Sequence, residues 1–427
     1  MSVISEHTLF VGLAFNAGTE ALTQALPEVV PAGVLKLVRR GNVETSEFAY
    51  GRQYLRCAKA EPLNPEHLPL QQAVFDWPGR RLRDGGAMPL TIRDALPDSW
   101  GRRVLDATQG QPVSDVQALL LTNADRVGAM VFSDKLPIHP AAPESKVFKL
   151  EELAEAARQF EMGLETDAAI KRLLQGGSLG GARPKATFIH ANQRHIAKFP
   201  ARGDDHDVAL LEAATLQLAM ACGISVPLFF LHRLPTGHAL VLKRFDRDGP
   251  IGHELRFHYL SASAVLNVAY EDNAGGSYVA LAQALRRISA KPDADLQELY
   301  RRLIFNLVVG NSDDHVKNHG VLLQGKGYYR LAPAFDVVMQ LNGHTGYQSL
   351  AILPGEMESS LALARQAAVQ FGLTALDADA IIGHISATVQ SLAETLLKAS
   401  GANDALVRRV RDFLARQRLR INAARLP

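Results

Sequence analysis

The residues with the clearest chemical potential lie in the run Asn311-Ser312-Asp313-Asp314-His315-Val316-Lys317-Asn318. Within it, Asp313 and Asn318 are a carboxylate and an amide five positions apart, which is the spacing that phosphoryl transfer uses. The carboxylate orients an incoming hydroxyl and accepts its proton, while the amide oxygen helps to hold Mg²⁺. A second carboxylate, Asp336, follows two strand-like runs and is suited to bridge the metal and the phosphates. The order of catalytic loop, hairpin and metal-binding aspartate is typical of kinases.

Each of these residues also has an ordinary structural interpretation. Asp, Asn and His side chains often cap helices or fill polar turns, so a single one of them indicates little. The ordered set, with a hairpin between its two halves, favours the functional interpretation. A zinc or other transition-metal site that includes His315 is a third alternative at this point.

A glycine-rich segment is a candidate phosphate-binding loop; it reads Gly176-Gly177-Ser178-Leu179-Gly180-Gly181-Ala182-Arg183-Pro184-Lys185. Glycines allow backbone N–H groups to approach phosphate oxygens closely, and Arg183 and Lys185 add positive charge. The segment lacks the Gly-Lys-Ser/Thr ending of a Walker A motif, and a glycine-rich loop alone is weak evidence.

Further positions complete the pattern of a nucleotide site. Lys198 lies in the strand-like run His195 to Phe199, as expected of a lysine that contacts phosphates after a glycine-rich loop. Glu212, on the next predicted helix, is the candidate ion-pair partner of Lys198. Backbone groups of Val241 to Arg247 are suited to hydrogen-bond adenine as a hinge. The alternatives are a solvated strand edge for the lysine and an edge strand with alternating charges for residues 241–247.

The surrounding pattern predicts elements that position these residues. We expect mixed strands and loops in the first 140 residues and a mostly helical second half. Two short strands, Ala186 to His190 and His195 to Phe199, follow the glycine-rich segment. A helix is predicted over Val208 to Ala221, and a β-hairpin is predicted over His319 to Leu331, directly after the polar run.

The overall composition and net charge indicate an ordinary globular protein. Of 427 residues, 47% are hydrophobic and 21% charged, and the formal charge of +2 does not require nucleic acid or membrane as a partner. Two widely spaced cysteines, Cys57 and Cys222, make neither a disulfide framework nor a zinc site and predict a cytoplasmic location. Residues 1–8 lack a basic patch followed by an apolar run, and no apolar stretch approaches the roughly 20 residues that span a bilayer. We therefore expect neither a signal peptide nor a membrane partner.

In combination, these motifs resemble HipA, the serine/threonine-protein kinase toxins of bacterial type II toxin–antitoxin modules. None of the motifs is decisive alone, but the combination is specific and extends over most of the chain. The N-terminal run Leu96 to Arg103 also resembles the N-terminal subdomain of the family. The matching stretches are Ser178 to Lys185, His195 to Lys198, Glu212 to Pro227, Arg244 to Arg247, Gly310 to Asn318 and Tyr329 to Asp336.

The resemblance implies a role for each matching position. Asp313 resembles the catalytic base, and Asn318 and Asp336 resemble the Mg²⁺ ligands. Ser178 falls where family members carry an autophosphorylated serine, and its phosphorylated form would no longer fit the ATP-competent loop. The positions implied in ATP binding are Gly180, Gly181, Ala182, Arg183, Pro184, Lys185, Lys198, Glu212, Lys243, Arg244, Phe245, His315, Lys317, Asn318, Phe335 and Asp336.

The resemblance also implies the fold. We expect an α+β, two-lobe, protein-kinase-like and HipA-like fold, with a mixed N-terminal lobe that contains a β-sheet and a mostly helical C-terminal lobe. The expected division is an N-terminal HipA subdomain in residues 1–140, the nucleotide-binding part of the N-lobe in 141–245, and the helical kinase lobe in 246–427.

The implied activity is transfer of phosphate from ATP, with Mg²⁺, to a cellular protein such as an aminoacyl-tRNA synthetase. The implied partners are a HipB-like helix-turn-helix antitoxin and, through it, operator DNA. Two alternatives stay open, namely a catalytically weak corepressor partner of the antitoxin and a small-molecule or lipid kinase. Arginines 408–420 of the last predicted helix could contact DNA phosphates, but a solvated helical face is the more ordinary interpretation.

One position departs from the family pattern. Asp314 follows Asp313, where a small residue such as glycine is expected. A second carboxylate there either competes for the role of base or faces solvent. The spacing to Asn318 favours Asp313 as the base.

Overall fold

The structure is a computed structural model that describes residues 4–14, 29–82, 86–122, 125–139, 148–164, 173, 181–272, 275–342 and 346–423. The chain forms two compact units. Unit 1 comprises Met1–Arg202, Lys243–Leu260 and Leu322–Gly327, and unit 2 comprises Gly203–Leu242, Ser261–Val321 and Tyr328–Pro427. The three-part division expected from the sequence stays a prediction.

Unit 1 contains a five-stranded antiparallel sheet in the order β4-β3-β2-β1-β5. Its strands are β1 (Ile4–Ala14), β2 (Val29–Arg40), β3 (Val43–Tyr50), β4 (Val74–Arg81) and β5 (Met130–Ser133). The register brings Leu9, Leu35 and Phe48 side by side across three strands. All three are at most 1% exposed, so this row is the centre of the hydrophobic core of the sheet.

The helices of unit 1 are α1 (Arg52–Leu55), α2 (Leu90–Arg93), α3 (Ser99–Gln109), α4 (Asp115–Leu121) and α5 (Leu150–Met162). The run Leu96 to Arg103 leads into α3, which begins at Ser99. Helices α3 and α5 pack through Trp100 and Phe160, whose rings meet edge to face with centroids 5.3 Å apart. The guanidinium of Arg103 lies over both rings, which adds a cation–π contribution to this contact.

Two short antiparallel strands follow in unit 1, β6 (Lys185–His190) and β7 (Gln193–Lys198). Their two-residue turn, Ala191 and Asn192, has positive φ at both positions, as a tight hairpin turn requires. The two strands predicted after the glycine-rich segment are therefore confirmed.

Unit 2 is mostly helical, as the sequence predicted. Its helices are α6 (Val208–Ala221), α7 (Ala262–Leu266), α8 (Tyr278–Ile288), α9 (Pro292–Val309), α10 (Leu361–Ala367), α11 (Ala375–Ala399) and α12 (Asp404–Ala423). The central helix is α9, which contacts α8, α10, α11 and α12 and is buried along most of its second half. Helix α6 has the bounds that the sequence predicted, and ten of its 14 residues are buried.

The remaining strands are short. They are β8 (Phe229–Arg233), β9 (His238–Lys243), β10 (Arg247–Asp248), β11 (Leu255–Arg256), β12 (Tyr259–Ser261), β13 (Gly320–Gly325) and β14 (Tyr328–Leu331). Strands β13 and β14 are neighbours, which confirms the hairpin predicted after the polar run. In unit 1, the backbone N–H groups of Lys326 and Gly327 donate to the Glu61 carboxylate at 2.6 and 2.7 Å. Antiparallel sheets and many helices together make an α+β fold, as predicted.

No helix in the described ranges is long and apolar enough to cross a membrane.

Candidate active site

The loop that carries Asp313 begins where helix α9 ends. The residue after α9, Gly310, has a φ of +67°, in the left-handed region that favours glycine. The next N–H group, that of Asn311, closes the helix end by donating to the carbonyl oxygen of Asn306 at 2.9 Å. After Asp313 the loop ends in one turn of 3₁₀ helix that includes Asn318. Local backbone structure therefore fixes this loop at both ends, and we call residues 310–318 the Asp313 loop.

Asp313 and Asp314 lie in opposite environments. Asp313 is exposed, whereas Asp314 is 2% exposed. The carboxylate of Asp314 pairs with Nε2 of His319 at 3.0 Å and accepts a hydrogen bond from the Tyr278 hydroxyl. Burial by itself raises the pKa of Asp314, but the charge of His319 and these hydrogen bonds lower it below its ordinary value. Asp314 is thus an ionised group of the interior, and Asp313 is the carboxylate that reaches solvent.

A chain of buried hydrogen bonds extends from Asp314. The Asn306 amide donates to the Tyr278 hydroxyl at 2.9 Å, and the Asn311 amide donates to the Asn306 side-chain oxygen at 3.2 Å. The His319 ring also packs edge to face against Tyr278, with centroids 5.2 Å apart. Because buried polar groups lose free energy when a partner is missing, this chain favours one conformation of the Asp313 loop.

His315 and Asn318 hold the outer part of the loop. His315 Nδ1 accepts a hydrogen bond from the Lys317 backbone N–H at 3.3 Å, and its ring lies edge to face with Tyr270 at 4.7 Å. Burial lowers the pKa of His315, against the opposing effect of Asp313, and this favours the neutral ring. The Asn318 side-chain N–H₂ donates to the carbonyl oxygen of Asp313 at 3.1 Å, so its amide oxygen is the end suited to a metal ion.

Asp336 follows the hairpin in an uncommon backbone conformation. Its φ is +54°, and non-glycine residues held in this region are frequent at functional sites. The segment before it is fixed, since the Ala334 N–H donates to the Ser225 carbonyl oxygen at 2.8 Å. Although Asp313 reaches solvent, its carboxyl group is partly desolvated, and this is the largest cause that raises its pKa. His315 opposes the rise, and the charges of Asp314 and Asp336 add to it. Asp336 is therefore close enough to Asp313 for their charges to interact.

A small pocket opens beside the Asp313 loop in unit 2. Two predicted ATP-binding positions, Asn318 and Phe335, line it together with Asp314 and His319. Apolar residues of α6 and α9 complete its wall. The free volume of the pocket is about 10 Å³, enough for about one water molecule, so it is a gap beside the loop and not a nucleotide-sized cavity.

The oxygen atoms present suit Mg²⁺ better than a transition metal. Within the described residues, no cluster of three or more His, Cys, Asp or Glu side chains is arranged to hold a metal ion. His319, the histidine nearest to His315 in sequence, is engaged by Asp314. Mg²⁺ commonly takes one or two protein oxygens and completes its shell with phosphate and water. An amide oxygen from Asn318 and a carboxylate from Asp336 fit that pattern.

In unit 1, the described part of the glycine-rich segment begins at Gly181; the predicted sites Ser178 and Gly180 lie outside the described residues. The Gly181 N–H donates to the Asp98 carboxylate at 2.7 Å, and its carbonyl oxygen accepts from the Trp100 N–H at 3.2 Å. Asp98 is the residue before α3, yet its side chain does not cap that helix. The carboxylate anchors the end of the glycine-rich segment instead.

Two lysines face each other across the β6–β7 hairpin. Lys185 lies directly opposite Lys198, so the two side chains are on the same face of the strands. Lys185 is 5% exposed, and its carbonyl oxygen accepts from the Trp100 indole N–H at 2.8 Å. A Cβ atom added to Gly181 would lie 2.5 Å from the Lys185 ammonium, so only glycine permits this approach. Positive charge is thus concentrated beside the glycine-rich segment.

The other predicted positions differ in exposure. In the glycine-rich segment, Ala182 is exposed, Arg183 is half-buried and Pro184 is buried. In unit 2, Glu212 is 6% exposed on α6. Lys198 belongs to unit 1, and its pairing with Glu212 stays a prediction.

The predicted hinge, Lys243 to Phe245, adjoins a buried ion-pair network in unit 1. Arg244 is 2% exposed, and its guanidinium donates to the carboxylates of Asp125 at 2.9 Å and Asp246 at 2.7 Å. The members of this network, which we call the arginine network, are Arg126, Arg194, Arg244, Arg247 and Arg256 with Asp125, Asp246 and Glu254. The side chain of Arg244 therefore has a structural role, and its backbone N–H also donates to the Arg194 carbonyl oxygen. A contact of Arg244 with ATP could come only from its carbonyl group and stays a prediction.

The electrostatics of the arginine network follow from burial and pairing. Burial opposes ionisation of Asp246, but Arg244 and Arg247 together lower its pKa to about 2. The Gly128 N–H also donates to Asp246 at 2.9 Å. Arg126 is fully buried, which lowers its pKa to about 9, and it stacks on Phe132 at 4.6 Å. Removing one partner of such a buried pair is strongly destabilising.

Sequence reasoning missed the residues that position the site. Asp98 anchors Gly181, Tyr278 and His319 hold Asp314, and Asp125 holds Arg244. These contacts join residues between 5 and 119 positions apart. One of these contacts could have been suspected from the sequence, the pair of Asp314 and His319, because both are polar and they are only five positions apart. No pattern in the sequence pointed to the others.

Comparison with known proteins adds to this geometry. A model of the HipA-like C-terminal domain matches residues 177–393, just over half of the chain. The inferred kinase Y4mE of Sinorhizobium fredii is 28% identical over 261 residues, which cover 59% of this chain and 54% of that protein. The serine/threonine-protein kinase toxin HipA of Shewanella oneidensis is 26% identical over 272 residues, which cover 57% of this chain and 61% of the toxin. The chain thus spans less than two thirds of the length of these relatives.

A solved structure matches over a longer range. A chain of the Shewanella oneidensis MR-1 toxin–antitoxin complex of HipA, HipB and operator DNA aligns with a TM-score of 0.65 at 17% identity. The alignment covers 97% of this chain and 96% of that chain, so the fold is HipA-like. Since the family model also covers more than half of the sequence and includes the Asp313 loop, the chain belongs to the HipA family.

Proposed function

We propose that the chain is an ATP- and Mg²⁺-dependent serine/threonine-protein kinase of the HipA type, acting as the toxin of a toxin–antitoxin module. One observation carries the proposal: Asp313 is exposed while its neighbour Asp314 is held in the interior, so a single carboxylate is presented five residues before Asn318. This is the arrangement that phosphoryl transfer needs at its acceptor side. The kinase names of the relatives support it.

In the proposed mechanism, Asp313 orients the acceptor hydroxyl and accepts its proton. Asn318 and Asp336 supply the oxygens that would hold Mg²⁺, which when bound neutralises charge on the phosphates. The Asn318 N–H₂ group keeps its hydrogen bond to the Asp313 carbonyl, which couples the base to the metal ligand. Neutral His315 accepts the Lys317 N–H and keeps the loop compact.

The proposed nucleotide contacts come from the positions that resemble the family. Gly180 to Lys185 would bind phosphates through backbone N–H groups and positive charge, and Lys198 would contact them from its strand. The carbonyl of Lys243 and the N–H of Phe245 would hydrogen-bond adenine. Ser178 is the proposed autophosphorylation site, and a Ser178→Asp variant with full activity would contradict that assignment.

Partners and substrate are proposed from the relatives. The structural match is a complex of HipA with HipB and operator DNA, which supports a HipB-like antitoxin and indirect association with DNA. The arginines of α12 are less available for DNA than their number suggests. Arg409 pairs with Asp205 at 2.8 Å, and Arg418 donates to Gln390 at 3.2 Å. A translation enzyme such as an aminoacyl-tRNA synthetase is the proposed substrate, in the cytoplasm.

The test is phosphate transfer from γ-labelled ATP by the purified full-length chain, with Mg²⁺ or with EDTA, alone and in a bacterial lysate. We expect label on the chain and on at least one lysate protein only when Mg²⁺ is present. Label that appears only on small molecules or lipids would replace the proposal with a small-molecule kinase. Absence of any label while ATP binding is intact would favour a corepressor partner of the antitoxin.

The rate of transfer should fall at acidic pH. Burial, together with the charges of Asp314 and Asp336, raises the pKa of Asp313 above its ordinary value of 3.8. The base acts only as a carboxylate, so activity is lost as the pH falls through this raised pKa. A profile of the turnover rate against pH, within the range where the fold is stable, should show an acid limb above pH 3.8. A rate that stays constant down to that pH would contradict the role of Asp313.

Replacing Asp98 with alanine should weaken ATP binding by about tenfold, since a hydrogen bond to a charged group contributes about 1.5–3 kcal/mol. The reason is that the Gly181 N–H loses its partner, so ordering the glycine-rich segment costs more. Titration with a fluorescent ATP analogue measures the effect. Asp106→Ala is the control. Asp106 lies in α3 and also accepts a hydrogen bond from a loop N–H, that of Val113 at 2.8 Å, but it does not contact the glycine-rich segment. Equal losses in both variants would show that stability of α3, and not the anchor, is responsible.

A further inference from the structure

The last helix of the chain reaches the end of α9 through one side chain. Gln417 of α12 is 0% exposed, and its Nε2 donates to the carbonyl oxygen of Leu307 at 2.7 Å. Leu307 lies in the last turn of α9, where carbonyl groups have no partner within the helix. The Gly310 N–H also approaches this oxygen, at a long 3.4 Å. By distance, the Gln417 amide makes the stronger bond.

The same helix limits the residue that starts the Asp313 loop. A Cβ atom added to Gly310 would lie 2.6 Å from the Phe413 ring of α12, so no side chain fits there unless that ring moves. The Gly310 carbonyl oxygen accepts from the Gln340 N–H at 3.2 Å. Gly310 is therefore confined by α12 on one side and by residue 340 on another.

The segment between Gly310 and Asp313 has little freedom of its own. Asn311 is 1% exposed and bonds Asn306 through both its backbone and its side chain. The Ser312 carbonyl oxygen accepts from the N–H and the hydroxyl of Ser349, both at 3.0 Å. A change in the direction of the chain at Gly310 is thus transmitted to Asp313, because the residues between them cannot absorb it.

We infer that Gln417 is a positioning residue for the transfer reaction: through the Leu307 carbonyl and Gly310 it sets where Asp313 stands. The effect on turnover rests on the proposed kinase activity. The contacts that carry the inference all lie within unit 2. It gives α12 a role in turnover that is independent of binding DNA or an antitoxin.

Two substitutions separate the hydrogen bond from packing. Gln417→Leu and Gln417→Met both remove the donor and leave a buried carbonyl oxygen, and methionine also keeps the length of the side chain. We expect either variant to lower the turnover rate about 10- to 100-fold, since a misplacement of about 1 Å costs this much. The affinity for ATP should fall by a smaller factor than the turnover rate, because neither substitution touches the glycine-rich segment or the hinge.

The matched control is Val410→Ala. Val410 is also 0% exposed on α12, so its truncation loosens the packing of the helix while the Gln417 bond remains. The experiment compares thermal stability, turnover rate, ATP affinity and hydrogen exchange of backbone amides in residues 307–318 of the full-length chain. For the Gln417 variants we expect faster hydrogen exchange in residues 310–313 and a lower turnover rate. For Val410→Ala, compared with a Gln417 variant of the same thermal stability, we expect exchange and turnover close to those of the wild-type chain.

Turnover that falls in proportion to stability in all three variants would overturn the positioning role. Unchanged exchange in residues 310–313 of Gln417→Leu would overturn it as well. The exchange measurement does not depend on catalysis, so it remains decisive if the wild-type chain transfers no phosphate. In that case the proposed function fails, and faster exchange would still establish the structural link.

Discussion

Asp313→Asn should reduce phosphate transfer by about 10²- to 10⁴-fold, the range that a positioned general base contributes. Asparagine keeps the size of the side chain and can still accept a hydrogen bond, but it cannot take the proton of the acceptor hydroxyl. ATP binding should be nearly unchanged, because Asp313 is assigned to the acceptor and not to the nucleotide. The loss should therefore appear in the turnover rate.

The same variant should unfold at a slightly higher temperature. The pKa of Asp313 in the fold is raised above its ordinary value, so the folded chain binds this proton more tightly than the unfolded chain. Such a carboxyl group contributes favourably to the free energy of unfolding at low pH, and this contribution is lost as the pH rises through the folded pKa. At neutral pH the ionised Asp313 therefore destabilises the fold, and a neutral amide relieves this.

Radiolabel transfer and thermal unfolding at neutral pH, measured on the same preparations, check both effects. Asp412→Asn is the control, since Asp412 is an exposed aspartate of α12 whose side chain is 63% exposed. It should change neither quantity. A fully active Asp313→Asn protein would remove Asp313 from the mechanism, and an inactive but destabilised one would show that the loss comes from misfolding.

Asp314→Ala should lower the free energy of unfolding by about 3–5 kcal/mol, the cost of removing one partner of a buried ion pair. His319 and the Tyr278 hydroxyl would each lose a partner in the interior. Asp314→Asn should lose less, because an amide oxygen still accepts the Tyr278 hydrogen bond. Urea unfolding at neutral pH measures these differences.

The pH dependence of stability gives an independent check. The folded pKa of Asp314 is lowered, so its stabilisation is present above the unfolded pKa and is lost as the pH falls through the folded pKa. The difference in free energy of unfolding between the wild-type chain and Asp314→Ala should therefore shrink as the pH is lowered. A stable Asp314→Ala protein without transfer activity, beside an active Asp313→Ala protein, would mean that Asp314 is the base.

The sequence predicts local structure well where one run of residues determines it. Helix Val208–Ala221 was predicted with its true bounds because apolar residues recur along its length, and in the structure Asp207 caps its first turn. The hairpin after the polar run was found from its turn around Gly325, Lys326 and Gly327. Asp313 was preferred over Asp314 from spacing alone, and the opposite exposure of the two residues agrees with that choice.

Contacts between distant segments were not predictable in the same way. Asp98 and Gly181 are 83 positions apart, and Asp125 and Arg244 are 119 apart, so no periodic pattern connects them. Arg244 was assigned to the hinge through its backbone and its resemblance to the family, which stays a prediction, and the sequence did not show that its side chain is a structural anchor. A charged residue in a motif can serve the fold or the ligand, and only its partners distinguish the two.

The discontinuous course of unit 1 has a consequence for protein synthesis. Its three stretches end at Arg202, Leu260 and Gly327, so the ribosome must complete 327 of 427 residues before the unit can close. Asp125 lacks Arg244 until the second stretch is made, and Glu61 lacks the amides of the hairpin tip until the third is made. A nascent chain of this length exposes charged groups that are meant for the interior. Fragments released by premature termination in this range should therefore go to chaperones and proteases.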